Sequence, residues 1–163
     1  MRIVVLLLSL LVVPAYAGVP APQNGTPAVP IKVESQYNFG VSARDAEQTA
    51  EWYATNFGLG RVKTGTFPGG KFIILGSPRL SVEIIQHDSA VDARKQLNIH
   101  DDYLLRGFFK IGFYVKDLDA SVARLKRAHV KIDSEHASDE QLHLRFAIIQ
   151  DNEGNTIQLF ESD

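Results

Sequence analysis

Four polar side chains interrupt strand-like runs that are otherwise apolar: Asn38, Glu83, Lys110 and Gln158. An ammonium and a carboxylate set among two amides can do one of two things. They can form a buried, mutually satisfied pair that holds two parts of a fold in register, which adds little net stability. Or they can line a pocket in which Lys110 orients an anionic or carbonyl ligand and Glu83 accepts a hydrogen bond or a proton. Desolvation lowers the pKa of a lysine, and a lysine so tuned can act as a base or form a Schiff base. Tyr114, on the strand face of Lys110, is a further pocket candidate, as are His143 and Arg145, which share one face of a later run. The other histidines are scattered, and no two stand at the i, i+4 spacing of a helical metal site. His87, His100 and His129 read as solvated loop or helix-end residues. The absence of cysteine excludes a thiolate nucleophile, a disulfide framework and a Cys-type zinc or iron–sulfur site.

The elements that carry these residues follow from periodicity. Tyr37 to Val41 is a short strand and Asp45 to Phe57 a helix, with Asp45 and Gln48 in capping-box spacing and Gly58 as its stop. Arg61 to Thr66, Lys71 to Leu75 and Leu80 to Gln86 are strand-like, separated by Pro68-Gly69-Gly70 and Gly76-Ser77-Pro78. After a polar stretch from His87 to Arg106 the order recurs. Phe108 to Val115 is a strand and Leu118 to Ala128 a helix; Lys131 to Ser134, Leu142 to Gln150 and Thr156 to Glu161 are strands. Asp151 to Asn155 forms the tight turn before the last of them, and the acidic run Asp133 to Glu140 reads as a solvated loop. The pattern is βαβββ written twice, an α+β chain. Neither half covers both faces of its sheet alone, so the halves pack within one chain or pair with a second chain as a homodimer.

Strand parity then sorts the faces. Phe39, Val41, Val82, Ile84, Phe109, Ile111, Phe113, Val115, Ile157 and Leu159 point toward the helices. Asn38, Gly40, Glu83, Lys110, Gly112, Tyr114, Gln158 and Phe160 point the other way, which puts all four interrupting polar residues on one face.

Composition bounds the rest. The 163 residues are 45% hydrophobic and 22% charged with a net charge of −2, which describes a globular domain and excludes a disordered or collagen-like chain. The near-neutral balance gives no reason to expect nucleic acid or an anionic membrane as partner. Met1-Arg2, the apolar run Ile3 to Val13 and Ala15-Tyr16-Ala17 have the form of a secretory signal peptide, too short in its apolar part to span a bilayer. Residues 1–17 are therefore expected to be removed, giving a secreted or periplasmic protein with no membrane attachment. Residues 18–30, with Pro20, Pro22, Pro27 and Pro30, form a flexible leader. The folded domain spans 31–163, with module one at 31–88, a linker at 89–106 and module two at 107–163.

Several motifs carry a family resemblance. Val41-Ser42-Ala43-Arg44-Asp45, Trp52-Tyr53 and Phe57-Gly58-Leu59-Gly60 look like the opening of a vicinal oxygen chelate module. Tyr114-Val115-Lys116-Asp117-Leu118-Asp119 resembles the family's Val-x-Asp-Leu-Asp, and Asp151 to Leu159 its closing Asp-Pro-Asp-Gly-Asn-x-Ile-Glu-Leu. The chain thus resembles the glyoxalase, fosfomycin/bleomycin-resistance and extradiol dioxygenase superfamily over about 31–163. That resemblance implies two tandem βαβββ modules forming a cup-shaped mixed sheet with helices outside. It also implies one divalent metal at the base of the cup, at positions that fall here on Asn38, Glu83, Lys110 and Gln158. The family commonly has His where Asn38 and Lys110 stand and Glu where Gln158 stands, so only Glu83 keeps a strong ligand type. A single carboxylate with two amides and an ammonium is a poor site for Zn²⁺, Ni²⁺ or Fe²⁺. The expectation is therefore no metal cofactor, with Lys110 in the metal's place neutralising Glu83. Three functions stay open: a metal-free small-molecule-binding protein, a divalent-metal-dependent lyase, isomerase or dioxygenase, and a non-catalytic interaction module.

Overall fold

The computed structural model describes residues 37–139 and 144–162. Residues 1–17, expected to be an export signal, residues 18–30, expected to be a leader, and His143 lie outside the described residues. The order of elements is β1 (Tyr37–Ser42), α1 (Ala46–Phe57), β2 (Gly60–Phe67), β3 (Gly70–Gly76), β4 (Leu80–His87), α2 (Ala93–Gln96), a 3₁₀ turn (Asp102–Leu104), β5 (Lys110–Tyr114), α3 (Leu118–Arg127), β6 (Ile132–Asp139), β7 (Leu144–Gln150) and β8 (Thr156–Ser162).

Two four-stranded mixed sheets result, ordered β1-β4-β3-β2 and β5-β8-β7-β6. In each, the strand before the long helix pairs in parallel with the module's last strand, and the other pairings are antiparallel. The repeat read from periodicity is therefore a repeat in space. The helices are set by their ends. The Asp45 carboxylate accepts from the backbone N–H of Glu47 at 3.0 Å and Gln48 at 3.2 Å, and Gly58 closes α1 in the left-handed conformation (φ 66°). Asp117 caps α3 by accepting from Ala120 N–H at 2.8 Å. Each such cap is worth about 1 kcal/mol.

The apolar faces sort as parity requires. Val41, Ile73, Leu75, Val82 and Ile84 are buried beneath Ala46, Ala50 and Tyr53 of α1, and Ala147, Ile149, Ile157 and Leu159 beneath Leu118, Val122 and Leu125 of α3. The fully buried isoleucines and leucines each contribute about 1.5–3 kcal/mol relative to exposure. Between the modules, Phe113 of β5 meets Phe39 of β1 at 5.9 Å and Phe57 of α1 at 5.3 Å between ring centroids. The halves of this single chain thus pack against each other. At Gly112 an added Cβ would stand 2.6 Å from the Phe160 ring, so that close approach requires glycine.

Three sequence expectations are corrected here. The acidic run Asp133 to Glu140 is not simply a solvated loop: through Asp139 it belongs to the edge strand β6, whose register shifts between Ile132 and Ser134 and again between Ser134 and Ala137. These bulges break the alternation that periodicity relies on, and His136 within them has φ 53°. Edge position also admits charge, with Glu135 reaching Lys126 at 2.5 Å. β5 begins at Lys110 rather than Phe108, because the preceding residues leave the sheet for the linker. Finally, the polar linker contains α2 and a 3₁₀ turn of its own.

Candidate functional site

The pairing register decides where the polar quartet goes. Glu83 stands opposite Gly40 in the β1–β4 pair and Gln158 opposite Gly112 in the β5–β8 pair, so the two modules present the same pattern of glycine beside a long polar residue. In module two, Lys110 Nζ donates to Gln158 Oε1 at 2.6 Å, and Gln158 is 5% exposed. In module one, Asn38 is exposed and Glu83 half-buried. The expected neutralisation of Glu83 by Lys110 is not what forms: the ammonium is held by the amide within its own module. The parallel β5–β8 register is the cause, because it places Gln158 one strand away, while Glu83 belongs to the other sheet. Burial lowers the pKa of Lys110. The Lys110 ammonium also lies 5.5 Å from the centroid of the Phe109 ring.

A cavity of about 1200 Å³ opens between the modules. Asn38 and Lys110 lie on its wall, and Glu83 and Gln158 do not. The rest of the wall includes Phe39, Ile111, the turn before β8, and the linker residues Val91, Arg94, Leu105 and Phe108. No pattern in the sequence marks the linker as part of this wall. Arg94 fastens it: the guanidinium donates to Gly154 O at 2.9 Å, to Asp102 Oδ1 at 3.3 Å and to Asn155 Oδ1 at 3.3 Å. The other Asp102 carboxylate oxygen accepts from Thr156 Oγ1 at 2.8 Å. A strap so tied to the β7–β8 turn closes one side of the space. In the sequence, Arg94 and Asp102 are two charges among many in a polar stretch, with no periodicity to single them out.

The same turn joins the modules. Tyr53 Oη donates to Asp151 Oδ2 at 2.8 Å, and Asp151, 5% exposed, also accepts from Glu153 N–H, Asn155 N–H and Asn155 Nδ2. Burial, followed by the Asp151 charge and its hydrogen bond, pushes the Tyr53 phenol far above the ordinary tyrosine range. Tyr53 therefore stays a neutral donor.

Two other candidates stand apart from the cavity. Tyr114 is exposed, its ring 5.4 Å from that of Phe160. Arg145 shares the strand face of buried Ala147 and Ile149, so it lies on the helix side and not at the cup mouth. There it donates to Glu161 at 2.9 Å and to Asp119 at 2.6 Å, while Glu161 also accepts from Leu118 N–H at the start of α3. The Arg145 hydrogen bond, and then its charge, holds the Asp119 carboxyl below its ordinary value. Arg145→Met is expected to raise the Asp119 pKa toward about 3.9, read by NMR titration of the carboxyl carbon. Because the folded value is depressed, the stabilisation is present above the unfolded pKa of about 3.9 and fades as pH falls through the folded value. An Asp119 pKa unmoved by Arg145→Met would contradict this assignment. Among the described residues no group of three or more His, Cys, Asp or Glu side chains is placed to hold a metal ion. His87, exposed at the end of β4, accepts from Ser89 N–H through Nδ1 at 3.0 Å.

Fold, repeat and site define a class. The sequence model of the Glyoxalase/Bleomycin resistance protein/Dioxygenase superfamily matches residues 37–159, and the chain belongs to that superfamily. No curated protein matches it. Among solved structures it is similar to a glyoxylase/bleomycin resistance protein/dioxygenase domain from Frankia sp. EAN1pec, at 16% identity and a TM-score of 0.65 over 82% of this chain and 94% of that one. It is similar to TnmS3, an antibiotic binding protein from Streptomyces sp. CB03234, at 18% identity and a TM-score of 0.59 over 82% and 99%. It is also similar to the fosfomycin resistance protein FosX from Listeria monocytogenes, at 14% identity and a TM-score of 0.61 over 81% and 96%. At these identities the likeness is one of fold.

Proposed function

We propose that this chain is an exported, metal-independent binding protein for a small organic molecule, which it holds in the cavity between its modules. The observation that carries this reading is the combination at one wall: a space of about 1200 Å³ with a half-buried lysine ammonium, held by Gln158, at a position the family resemblance assigns to a metal ligand. Binding cavities are concave and mostly apolar, with a few placed polar groups, and this one has Phe39, Leu105, Phe108 and Ile111 beside Asn38 and Lys110.

The donor set does not fit a divalent metal. Lys110 brings a cation, Gln158 already accepts from that ammonium at 2.6 Å, and Asn38 offers a weak amide oxygen. Only the Glu83 carboxylate is a strong ligand. No step of the proposed function is therefore routed through a metal. The similarity to an antibiotic binding protein agrees with a binding role, and the form of residues 1–17 agrees with export. Metal analysis of the mature protein, purified without an affinity tag, tests the reading. Zinc, nickel and iron are expected well below one equivalent per chain, and a stoichiometric amount removed by Glu83→Ala would overturn it.

A further inference from the structure

We infer that the molecule held in the inter-module cavity is a planar aromatic anion, whose carboxylate or similar oxyanion meets the Lys110 ammonium while its ring lies against Phe108. This rests on the reading of the cavity as a small-molecule site and adds the chemical class of its occupant.

The charge part of the inference comes from the partners of the ionic groups on the wall, leaving aside Asp88 and Lys95, whose exposed charges are compensated by water. Arg44 is paired with Glu153 at 3.8 Å, and Arg94 with Asp102 at 3.3 Å and Asp92 at 3.9 Å. The acids Asp92, Asp102 and Glu153 are thus committed to arginines, and Asp92 and Asp102 also to Lys95 N–H and Thr156. Lys110 is different. It is half-buried, and its hydrogen-bond partner is the neutral amide oxygen of Gln158, with no carboxylate among the described residues within ion-pair distance. An ammonium has three donors, and one acceptor leaves its charge uncompensated where water is partly excluded. Burial lowers its pKa accordingly. An anion entering the cavity supplies the missing counter-charge through a charge-assisted hydrogen bond, and Asn38, exposed on the same wall, carries a further amide N–H donor.

The aromatic part comes from Phe108. Its side chain is fully exposed, although it lies on the cavity wall two residues before Lys110 and between the tied linker and β5. A large apolar ring left in water beside a cavity gains from a partner that covers it. Leu105 and Val91 of the linker and Phe39 of β1 extend that apolar wall. A flat ring with one acidic group satisfies both the uncovered phenyl face and the uncompensated ammonium.

The test is calorimetric or NMR titration of the mature protein with 2-naphthoate and with its neutral isostere 2-naphthamide. Wild type, Lys110→Met, Phe108→Ala and the control Lys116→Met are compared, each checked for an unchanged fold by circular dichroism. The inference predicts that 2-naphthoate binds at least about tenfold more tightly than 2-naphthamide, and that Lys110→Met removes this preference while Lys116→Met keeps it. Phe108→Ala is expected to weaken both probes by about two- to tenfold. If both probes bind equally to wild type, or if Lys110→Met keeps the preference for the acid, the anion inference fails and the cavity reading stands. If Phe108→Ala leaves both affinities unchanged, the aromatic part fails. If neither probe binds wild type, the inference of an aromatic anion fails, and the cavity reading falls with it only if no compound of a wider panel of small organic molecules stabilises the chain.

Discussion

Asp151→Ala is expected to destabilise the chain by about 3–5 kcal/mol and to lower its melting temperature by roughly 10–15 °C. The carboxylate is buried and accepts four hydrogen bonds, from Tyr53 Oη, two backbone N–H groups and Asn155 Nδ2. Its removal leaves the Tyr53 hydroxyl and the turn's backbone donors without partners where water does not reach, which costs more than the bonds themselves contribute. Total stabilities of about 5–15 kcal/mol make that a large share. Tyr53→Phe is the milder comparison, because the ring stays packed against Phe39 and Phe57 and only one of the four bonds is lost. It is expected to cost about 1–2 kcal/mol. The two melting curves, recorded with wild type, check both values, and an Asp151→Ala protein melting with wild type would contradict the role given to the turn. The bond also has a pH signature. The folded Tyr53 pKa is raised, so its contribution is complete below the unfolded tyrosine value of about 10 and declines as pH rises beyond it.

The second large effect is a gain. Replacing Asn38→His, Lys110→His and Gln158→Glu in one chain, with Glu83 kept, is expected to create a divalent-metal site much tighter than any in wild type. The cation that repels a metal is removed, and two imidazoles and a second carboxylate replace weak donors. Zn²⁺ titration followed by calorimetry is expected to give one site per triple-substituted chain, with a dissociation constant on the order of micromolar or below. If wild type binds Zn²⁺ as tightly as the triple variant, residue chemistry at these four positions does not decide metal binding, and the proposal is contradicted.

The sequence carried the fold almost entirely, because two signals agree there. Apolar alternation along Leu80 to Gln86 and Thr156 to Glu161 places Val82, Ile84, Ile157 and Leu159 in the core, and Asp45 and Gly58 mark the two ends of α1, the first by its carboxylate and the second by its left-handed backbone. The site was legible only as a set of residues sharing a face. Parity states which side a residue leaves the strand on, but not which neighbour in the other strand it meets. Opposite charge alone pairs Lys110 with Glu83, whereas the adjacent strand β8 brings it Gln158, two residues on from its register partner Thr156. Arg145 shows the same limit: sequence spacing puts it on one face with His143, but only the burial of Ala147 and Ile149 says that this face is the helix side. The linker was the least legible part. Its role rests on Arg94 reaching the turn at Gly154 across 60 positions of sequence, a contact that no local pattern announces.

The proposed function requires the inter-module cavity to bind a small organic molecule without a metal and through Lys110. Thermal-shift screening of metal-stripped mature protein against a panel of small aromatic acids and carbonyl compounds, run in chelator on wild type and Lys110→Met, tests it most directly. Some compounds are expected to raise the melting temperature of wild type in chelator, and the shift is expected to disappear in Lys110→Met. The proposed function is contradicted if no compound stabilises wild type in chelator, if stabilisation requires Zn²⁺, Ni²⁺ or Fe²⁺ to be restored, or if Lys110→Met responds as wild type does.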